Sequence, residues 1–319
     1  MTSFRLVTYR VAAVTIALAA LIERVHGEPP EAALQAGYKT RTFITRQFGS
    51  HNVDLAGADA PGFQWYRMNF FKPRNEVATK IEDGKLVTGG AEYDGNITTV
   101  ARTLAPPHFT GIAFGGGGYF EAEIAFDSQK VDLKEGVWPA WWSLTLESVL
   151  NWPESRWKGQ QSGYLNTAEV DFFEYDLQGS WRRTKNEYGA GIHHWYGTYG
   201  SCGANRFCDF GSPYAKGIQT APSNSDWREF HKFGALWVPA TDEHRGSMTF
   251  FLDGKTSNDS ITWTKFDDQP PPPKAETSWA FGILDRMHLI LVLGSGKKSP
   301  ITVRSVEVWQ RDDSQNLKN

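Results

Sequence analysis

Short runs in which apolar and polar residues alternate recur along most of the chain. A period of two places successive side chains on opposite faces, which is typical of β-strands buried on one side. The chain also contains 31 Gly and 16 Pro, which favour many turns and a sandwich over a helical fold. We predict opening strands within residues 40–75, and further strands near residues 84–89, 97–103, 118–126, 137–146, 168–176, 188–197, 229–238, 247–253, 286–293 and 301–310.

One predicted strand breaks this alternation because it carries too many acids. In a regular strand Glu169 and Asp171 would share one face, while Glu174 and Asp176 would lie on the other, among aromatic residues. Burying two carboxylates without partners would be very costly. A β-bulge near Phe172-Phe173 removes the conflict, because one extra residue reverses the faces of all residues after it. The four acids then share one face, and the other face is apolar, with Ala168, Val170, one Phe and Tyr175.

The acidic face suggests a particular chemistry. With the bulge, Glu169 and Glu174 are separated by four strand positions, which places their Cα atoms roughly 13 Å apart. Two Glu side chains that lean toward each other can bring their carboxyl groups to the separation of about 5 Å that retaining glycoside hydrolysis needs. Asp171 lies between them, where it could hydrogen-bond to one of them. The alternative is a solvated acidic face of an ordinary sheet, although exposed faces normally mix charges of both signs.

Further blocks of sequence accompany the acidic motif in a recognisable order. They are Gly118-Tyr119-Phe120-Glu121-Ala122, Trp138-Pro139-Ala140-Trp141-Trp142, residues 227–237 followed by 251–255, and residues 301–310. Together with Glu169-x-Asp171-x-x-Glu174, these blocks resemble glycoside hydrolase family 16, in the bulged form typical of its laminarinase-like branch. The resemblance covers residues 85–310.

This resemblance implies a fold and a role for each acid. The implied fold is an all-β jelly-roll sandwich of two antiparallel sheets, of the concanavalin A-like or glucanase type, with a concave glycan-binding cleft. The implied activity is endo-acting hydrolysis of a β-linked glucan (β-1,3 or mixed β-1,3/1,4) with retention. Glu169 would be the nucleophile, Glu174 the acid/base and Asp171 the assisting acid. No cofactor is expected, since two carboxylates suffice for this chemistry.

The resemblance also implies contacts with sugar rings. Trp138, Ala140 and Trp142 alternate onto one face, so we expect Trp138 and Trp142 to stack on the substrate and Trp141 to face the packed interior. His193 falls where the family often has a cleft histidine. The alternatives are that all three Trp belong to the core, and that His193 is a hydrogen-bonded packing residue.

Other functions on related folds remain open at this point. They are a transglycosylase or exopolysaccharide depolymerase on the same fold, a non-catalytic glucan-binding protein, and a legume-lectin-like module. Silent glucan-binding relatives typically lack one of the acids, whereas this chain retains Glu169, Asp171 and Glu174. A lectin would need metal-binding Asp and Asn loops that the sequence does not show.

Two departures from the family pattern bear on metal and substrate binding. Arg304 stands in the terminal strand where family members commonly have an Asp that helps bind a structural calcium ion. A cation cannot ligate calcium, so no metal site is expected. Glu123 stands where the family has Arg, which leaves the substrate contacts nearby undefined.

Composition limits the partners. Aromatic residues make up 14% of the chain, including 13 Trp, which suits stacking on sugar rings. The formal net charge is only −3, so there is no footprint for nucleic acid, and no basic run suggests a membrane surface. We expect a polysaccharide substrate as the partner and a monomer as the assembly.

The N-terminus has the pattern of an export signal. Arg5 and Arg10 precede an apolar run from Val11 to Ile22, which is too short to span a bilayer. We expect a signal peptide over residues 1–27, a single catalytic domain over residues 28–319, and a secreted or periplasmic location. The alternative is an uncleaved membrane anchor.

The only cysteines, Cys202 and Cys208, lie in a segment rich in Gly, Ser and Asn. In an exported protein two neighbouring cysteines favour a disulfide. A metal pair is the rival, but no partnering Cys or His with zinc spacing is present in the sequence.

Overall fold

The computed structural model describes residues 27–70, 79–88, 96–129, 131, 138–150, 164–175, 184–198, 214–256, 258–267, 281–294 and 301–319, without the side chains of residues 164–167, 194–198 and 214–218. Residues 1–26 of the expected export signal lie outside these ranges, as do Cys202, Cys208 and Asp176. The signal peptide and the disulfide therefore stay predictions. No helix within the described ranges is both long and apolar enough to cross a bilayer.

The described part is almost entirely β-structure, with two short α-helices, α1 (Glu31–Gln35) and α2 (Leu146–Val149), and one 3₁₀ turn, η1 (Ile283–Arg286). The strands are β1 (Thr40–Thr45), β2 (Val53–Asp54), β3 (Trp65–Arg67), β4 (Lys80–Glu82), β5 (Lys85–Thr88), β6 (Ile97–Thr98), β7 (Val100–Arg102), β8 (Phe109–Ala113), β9 (Gly118–Ala125), β10 (Ala140–Thr145), β11 (Tyr164–Glu174), β12 (Glu187–Thr198), β13 (Tyr214–Thr220), β14 (His231–Val238), β15 (Gly246–Leu252), β16 (Ile261–Trp263), β17 (Leu289–Leu293), β18 (Ile301–Gln310) and β19 (Leu317–Lys318).

Two eight-stranded sheets form the sandwich. The front sheet has the order β13-β12-β11-β10-β17-β6-β3-β2, and the back sheet has the order β16-β15-β14-β9-β18-β5-β4, with β1 also paired to β18. Neighbouring strands are antiparallel in both sheets, apart from the parallel pair β2 and β3. Strands β19, β8 and β7 form a third, small sheet. The predicted all-β sandwich of jelly-roll type is confirmed.

The core lies between the two sheets and is dominated by aromatic rings. Phe120 of β9 and Phe172 of β11 stack with centroids 5.7 Å apart, which ties the back sheet to the front sheet. Trp141 packs on the same Phe172 at 4.5 Å, and Phe173 packs on Phe233 of β14 at 4.1 Å. Such contacts add to the hydrophobic burial that holds the sheets together. The strand that carries the acids is therefore anchored from its inner face.

The sequence pattern missed several short strands and misplaced several boundaries; the strand predicted at 168–176, for example, begins at Tyr164. Strand β4 has only three residues, Lys80, Ile81 and Glu82, which are too few for an alternating pattern to be recognised. Strand β8 contains Gly111 at φ +109°, whose added Cβ would overlap the carbonyl oxygen of Thr99, so only glycine fits there. The strand predicted at 286–293 begins at Leu289, because residues 283–286 form η1.

Candidate active site

The β-bulge expected in the acidic strand is present. Asp171 lies opposite Gly191 of β12, and Glu174 lies opposite Gly189, so three steps along β11 match two along β12. The ladder to β10 shifts at the same place, since Trp142 lies opposite Asp171 and Trp141 opposite Phe173. One extra residue at Phe172-Phe173 thus reverses the faces, and the prediction from the sequence is confirmed.

The bulge separates the acids from the apolar residues as expected. On the inner face, four residues of β11 and the residue that follows it are buried in the main core: Ala168, Val170, Phe172, Phe173 and Tyr175. The acids pair across β10 with residues of a second cluster on the opposite face of the sheet, which includes Ala140, Trp142 and Leu144. Directly paired residues of antiparallel strands share a face. Glu169, Asp171 and Glu174 therefore lie together on the outer face of the front sheet, which we call the acid face.

The acid face is not an ordinary solvated surface. Asp171 is 2% exposed and Glu174 is 6% exposed, while Glu169 is half-buried. Charged groups are rarely buried to this extent unless their surroundings compensate the lost hydration. The burial argues against the alternative of an exposed acidic sheet surface.

Strand pairing arranges the acid face in three parallel rows. The first row is Leu144, Glu169 and His193; the second is Trp142, Asp171 and Gly191; the third is Ala140, Glu174 and Gly189. Each acid thus has a β10 residue on one side and a β12 residue on the other. Adjacent strands are about 4.8 Å apart, so residues of one row are immediate neighbours.

Sequence reasoning missed two glycines of β12, Gly189 and Gly191. Gly189 and Gly191 stand beside Glu174 and Asp171 and add no side chain to the acid face. The signal was present in the run Tyr188-Gly189-Ala190-Gly191-Ile192, where glycine occupies every position of one face and Tyr188, Ala190 and Ile192 are buried on the other. Glycine in a strand interior weakens the strand and often marks a site of close approach.

His193 contacts the acid array directly. Its Nε2 lies 3.3 Å from Oδ2 of Asp171, with 21% of the His193 side chain and 3% of the Asp171 side chain exposed. The imidazole can donate a hydrogen bond from Nε2 to the carboxylate, either as the neutral Nε2–H tautomer or as the cation. His193 thus shares the acid face with the three carboxylates, and its contact with a substrate stays a prediction.

The three tryptophans of the β10 segment have different surroundings. Trp141 is fully buried in the core, so its expected packing role is confirmed. Trp142 lies on the acid face, but it is only 6% exposed, and its Nε1 donates to the carbonyl of Gly294 at 3.1 Å. Trp138 is 37% exposed and offers more ring surface. Sugar stacking by Trp138 and Trp142 stays a prediction.

Arg304 stands where the resembled family commonly has a calcium-binding Asp, and it forms an ion pair. Nη1 of Arg304 lies 2.9 Å from Oε1 of Glu123, and its guanidinium lies 3.8 Å from the ring centroid of Phe230. Within the described residues, no group of three or more His, Cys, Asp or Glu side chains could hold a metal ion. The two departures noted in the sequence, Arg304 and Glu123, are thus partners of each other.

Comparisons with known proteins give similarity in structure only. No protein-family model and no curated protein sequence matches the chain. Similar solved structures include a GlcNAcα1-4Gal-releasing endo-β-galactosidase from Clostridium perfringens, with 16% identity, 90% of this chain and 65% of that chain covered, and a TM-score of 0.49. An endo-1,3-β-glucanase from Streptomyces sioyaensis has 16% identity, 92% and 100% coverage, and a TM-score of 0.46. A Bacteroides ovatus mixed linkage glucan GH16 protein in complex with a G4G4G3G product has 13% identity, 83% and 99% coverage, and a TM-score of 0.41.

Proposed function

We propose that this chain is a secreted or periplasmic, endo-acting glycoside hydrolase that cleaves a β-linked glucan with retention of configuration. The observation that carries the proposal is the bulge in β11, which brings Glu169, Asp171 and Glu174 onto one face in three adjacent rows. Retaining hydrolysis requires two carboxyl groups that flank the scissile bond, about 5–5.5 Å apart. The choice of a glucan follows from the resemblance of the sequence motifs to the laminarinase-like branch.

The first step forms a covalent intermediate. A carboxylate oxygen of Glu169 attacks the anomeric carbon as the bond to the leaving sugar oxygen breaks. Glu174 gives its proton to that oxygen, and it is 6% exposed, an environment that favours a neutral carboxylic acid. Asp171 lies in the row between the two, and its negative charge further favours the protonated form of Glu174.

The second step releases the product. Glu169 is now neutralised as an ester, so Glu174 acts as a base and takes a proton from a water molecule. The water oxygen attacks the anomeric carbon, the ester bond breaks, and the carboxylate of Glu169 is restored. Two inversions give net retention.

A panel of purified polysaccharides tests the proposal through the release of reducing ends. Hydrolysis of β-1,3-glucan or mixed-linkage glucan is expected, with the β-anomer appearing first in NMR spectra. Products longer than the substrate would instead indicate transglycosylation. Cleavage of an exopolysaccharide but of no β-glucan would identify an exopolysaccharide as the substrate.

Substitutions at the two Glu residues test their roles. Glu169→Ala should abolish hydrolysis and leave glycan binding nearly intact. Glu174→Ala should turn over only substrates with activated leaving groups, and added azide should yield a β-azide. Glu123→Ala, on the back sheet, serves as the matched control and should behave as the parent. Initial release of the α-anomer would exclude Glu169 as the nucleophile.

A further inference from the structure

A second cavity lies away from the acid face. It has a volume of 340 Å³ and is bounded by β1, by residues 61–64, by β8 and by β19. Residues 61–64 lead directly into β3, which is four strands from β11 in the front sheet, a distance of about 19 Å. Ligand sites of proteins commonly have volumes from about 300 Å³ upward. We call this space the β1–β19 pocket.

The inner part of the β1–β19 pocket is apolar. Phe43 is buried at its base, while Ile44, Phe63 and Ile112 are only half-buried and line the space. The ring of Phe63 is held edge-on against Tyr66, with centroids 6.1 Å apart. A partly exposed aromatic ring in a recess suits a ligand with an apolar ring face.

The polar groups in the walls are held by bonds within the protein. The amide nitrogen of Gln64 donates to a carbonyl of β1 at 2.9 Å, and the hydroxyl of Thr42 donates to Gln310 at 2.6 Å. The guanidinium of Arg41 lies 3.2 Å from the carboxylate of Glu307. The shape of the pocket is therefore fixed in advance, which lowers the entropic cost of binding a ligand.

One cationic side chain at the rim of the β1–β19 pocket, Lys318, is not held by an ion pair of this kind with any described residue. Lys318 lies directly opposite Ile112 in the ladder between β19 and β8, and its side chain is exposed. Among the residues that the structure describes, the Lys318 ammonium forms no ion pair. A lysine beside an apolar recess can attract the anionic group of a ligand whose ring lies in the recess.

We propose that the β1–β19 pocket binds a sugar ring that carries a carboxylate or sulfate group. The apolar face of the ring packs on Phe63, and the anionic group pairs with Lys318. The choice of a saccharide rests on the proposed function, whereas the pocket and its cation do not. The site would hold an acidic glycan chain about 19 Å from the acid face, so it would anchor the protein to an acidic polymer that lies beside the neutral glucan.

Calorimetric titration of the full chain tests this proposal, with Glu169→Gln as the background to prevent hydrolysis. The probes are a neutral β-glucan tetrasaccharide and a tetrasaccharide of the same length that contains glucuronic acid. Phe63→Ala should weaken binding of the acidic probe by roughly tenfold. Lys318→Gln should weaken it by about two- to fivefold, as expected for an exposed ion pair, and should remove its salt dependence.

Matched variants elsewhere serve as controls. Phe251→Ala removes a half-buried Phe from the back sheet, and Lys255→Gln removes an exposed Lys from a turn, and both should bind as the background does. Lys318 is exposed, so Lys318→Gln should fold and can be titrated even if Phe63→Ala fails to fold. Equal affinity for both probes would overturn the proposal. So would a Trp138→Ala variant that no longer binds the acidic probe while Lys318→Gln binds it as the background does. Failure of the parent to cleave any polysaccharide of the panel would refute the proposed function and leave this titration unaffected, because the probes then stay intact.

Discussion

Nε2 of His193 lies 3.3 Å from Oδ2 of Asp171 and thereby joins β12 to β11 at the middle of the acid face. Asp171 is 2% exposed and occupies the row between Glu169 and Glu174. An imidazole that donates to a buried carboxylate fixes the orientation of that carboxylate and stabilises its negative charge. We interpret His193 as a positioning residue that acts on the two Glu residues through Asp171.

Replacement of His193 by Ala should lower kcat and leave KM nearly unchanged. A hydrogen bond to a charged group contributes about 1.5–3 kcal/mol, which corresponds to a loss of roughly ten- to a hundredfold. His193→Gln retains a donor and should recover part of the activity, with a changed pH profile of kcat. His244→Ala, at an exposed turn, is the control. A rise in KM alone would place His193 in substrate binding instead.

The bulge could be predicted because strand geometry leaves no other way to place the acids. A period of two would have buried Glu174 beside Phe172, and the cost of burying a carboxylate in the core exceeds that of an irregular ladder. This argument is local, so a single sequence is sufficient for it. The packing role of Trp141 followed from the same alternation.

Other features of the site depend on contacts between distant parts of the chain. Trp142 donates to the carbonyl of Gly294, 152 residues away, and no local pattern indicates that bond. The pairing of Asp171 with Gly191 requires the register between β11 and β12, which the intervening chain sets. Glycine is neither clearly apolar nor clearly polar, so Gly189 and Gly191 do not stand out in an alternating pattern.

Gly191→Val should block the acid face without unfolding the protein. The new side chain would enter the row of Asp171 and Trp142, since paired residues share a face. Valine favours strands, so the melting temperature should change by only a few degrees. Hydrolysis should fall by roughly a hundredfold if an added side chain misplaces the substrate by about 1 Å. Gly191→Ala should give an intermediate loss, and parental activity in both variants would contradict a substrate path over this row.

Stability should be indifferent to metal chelation. Arg304 pairs with Glu123 at 2.9 Å on the back sheet, so a cation of the protein already neutralises this carboxylate. A bound ion would add stability by mass action, and its removal would lower the melting temperature. Equal melting temperatures with and without EDTA are expected. A clear drop on adding EDTA, reversed by calcium, would contradict this prediction.

The ion pair between His231 and Asp253 should make stability depend on pH. The hydrogen bond that Nδ1 of His231 donates to Asp253, at 2.8 Å, raises the pKa of His231 above its ordinary value of 6.5. Burial acts to raise the pKa of Asp253, but hydrogen bonds from His231 and from the backbone N–H of Lys232 outweigh it and lower that pKa below 3.8. The His contribution is complete below pH 6.5 and is lost as pH rises through the raised pKa. The Asp contribution is complete above pH 3.8 and is lost as pH falls through the lowered pKa.

The pair should therefore stabilise the fold most between about pH 4 and 6.5. Melting curves at pH 5.5 and pH 8.5 for the parent and for Asp253→Asn measure this contribution. Asn tolerates the left-handed conformation of residue 253, where φ is +49°, so the variant removes the charge with little backbone strain. The difference between parent and variant should shrink at pH 8.5. An equal difference at both pH values would exclude a role for the charge on His231.

Asp285 links three parts of the sandwich through its buried carboxylate. Oδ1 accepts from the indole N–H of Trp237 at 2.9 Å, and Oδ2 accepts from the indole N–H of Trp263 at 2.8 Å and from the backbone N–H of Ala240 at 2.8 Å. Burial raises the pKa of Asp285 to about 6, and the three donors oppose that rise. The carboxylate thus fixes the orientation of both Trp rings, although burial removes part of the hydration that would stabilise its ionised form.

The direction of the resulting pH dependence follows from the pKa of Asp285 in the unfolded state and in the folded state. Between the unfolded value of 3.8 and the folded value of about 6, the folded state binds more protons than the unfolded state. The contribution of Asp285 to stability is therefore complete below pH 3.8 and declines as pH rises through 6, by about 3 kcal/mol at most. Asp285→Asn cannot titrate, so the free energy of unfolding of the parent minus that of the variant should decrease from pH 4 to pH 7.

The same variant should be less stable than the parent at pH 4, where the contribution of Asp285 is largest. An Asn amide has one acceptor oxygen, so it would turn an N–H group toward an indole N–H and leave a buried donor unsatisfied, at a cost of about 1–3 kcal/mol. Urea denaturation at pH 4, 5, 6 and 7 gives both free energies, and Asp242→Asn, at an exposed position, corrects for the general loss of a charge. A parent-minus-variant difference that increases with pH would mean that the three N–H donors outweigh burial and that the pKa of Asp285 is lowered.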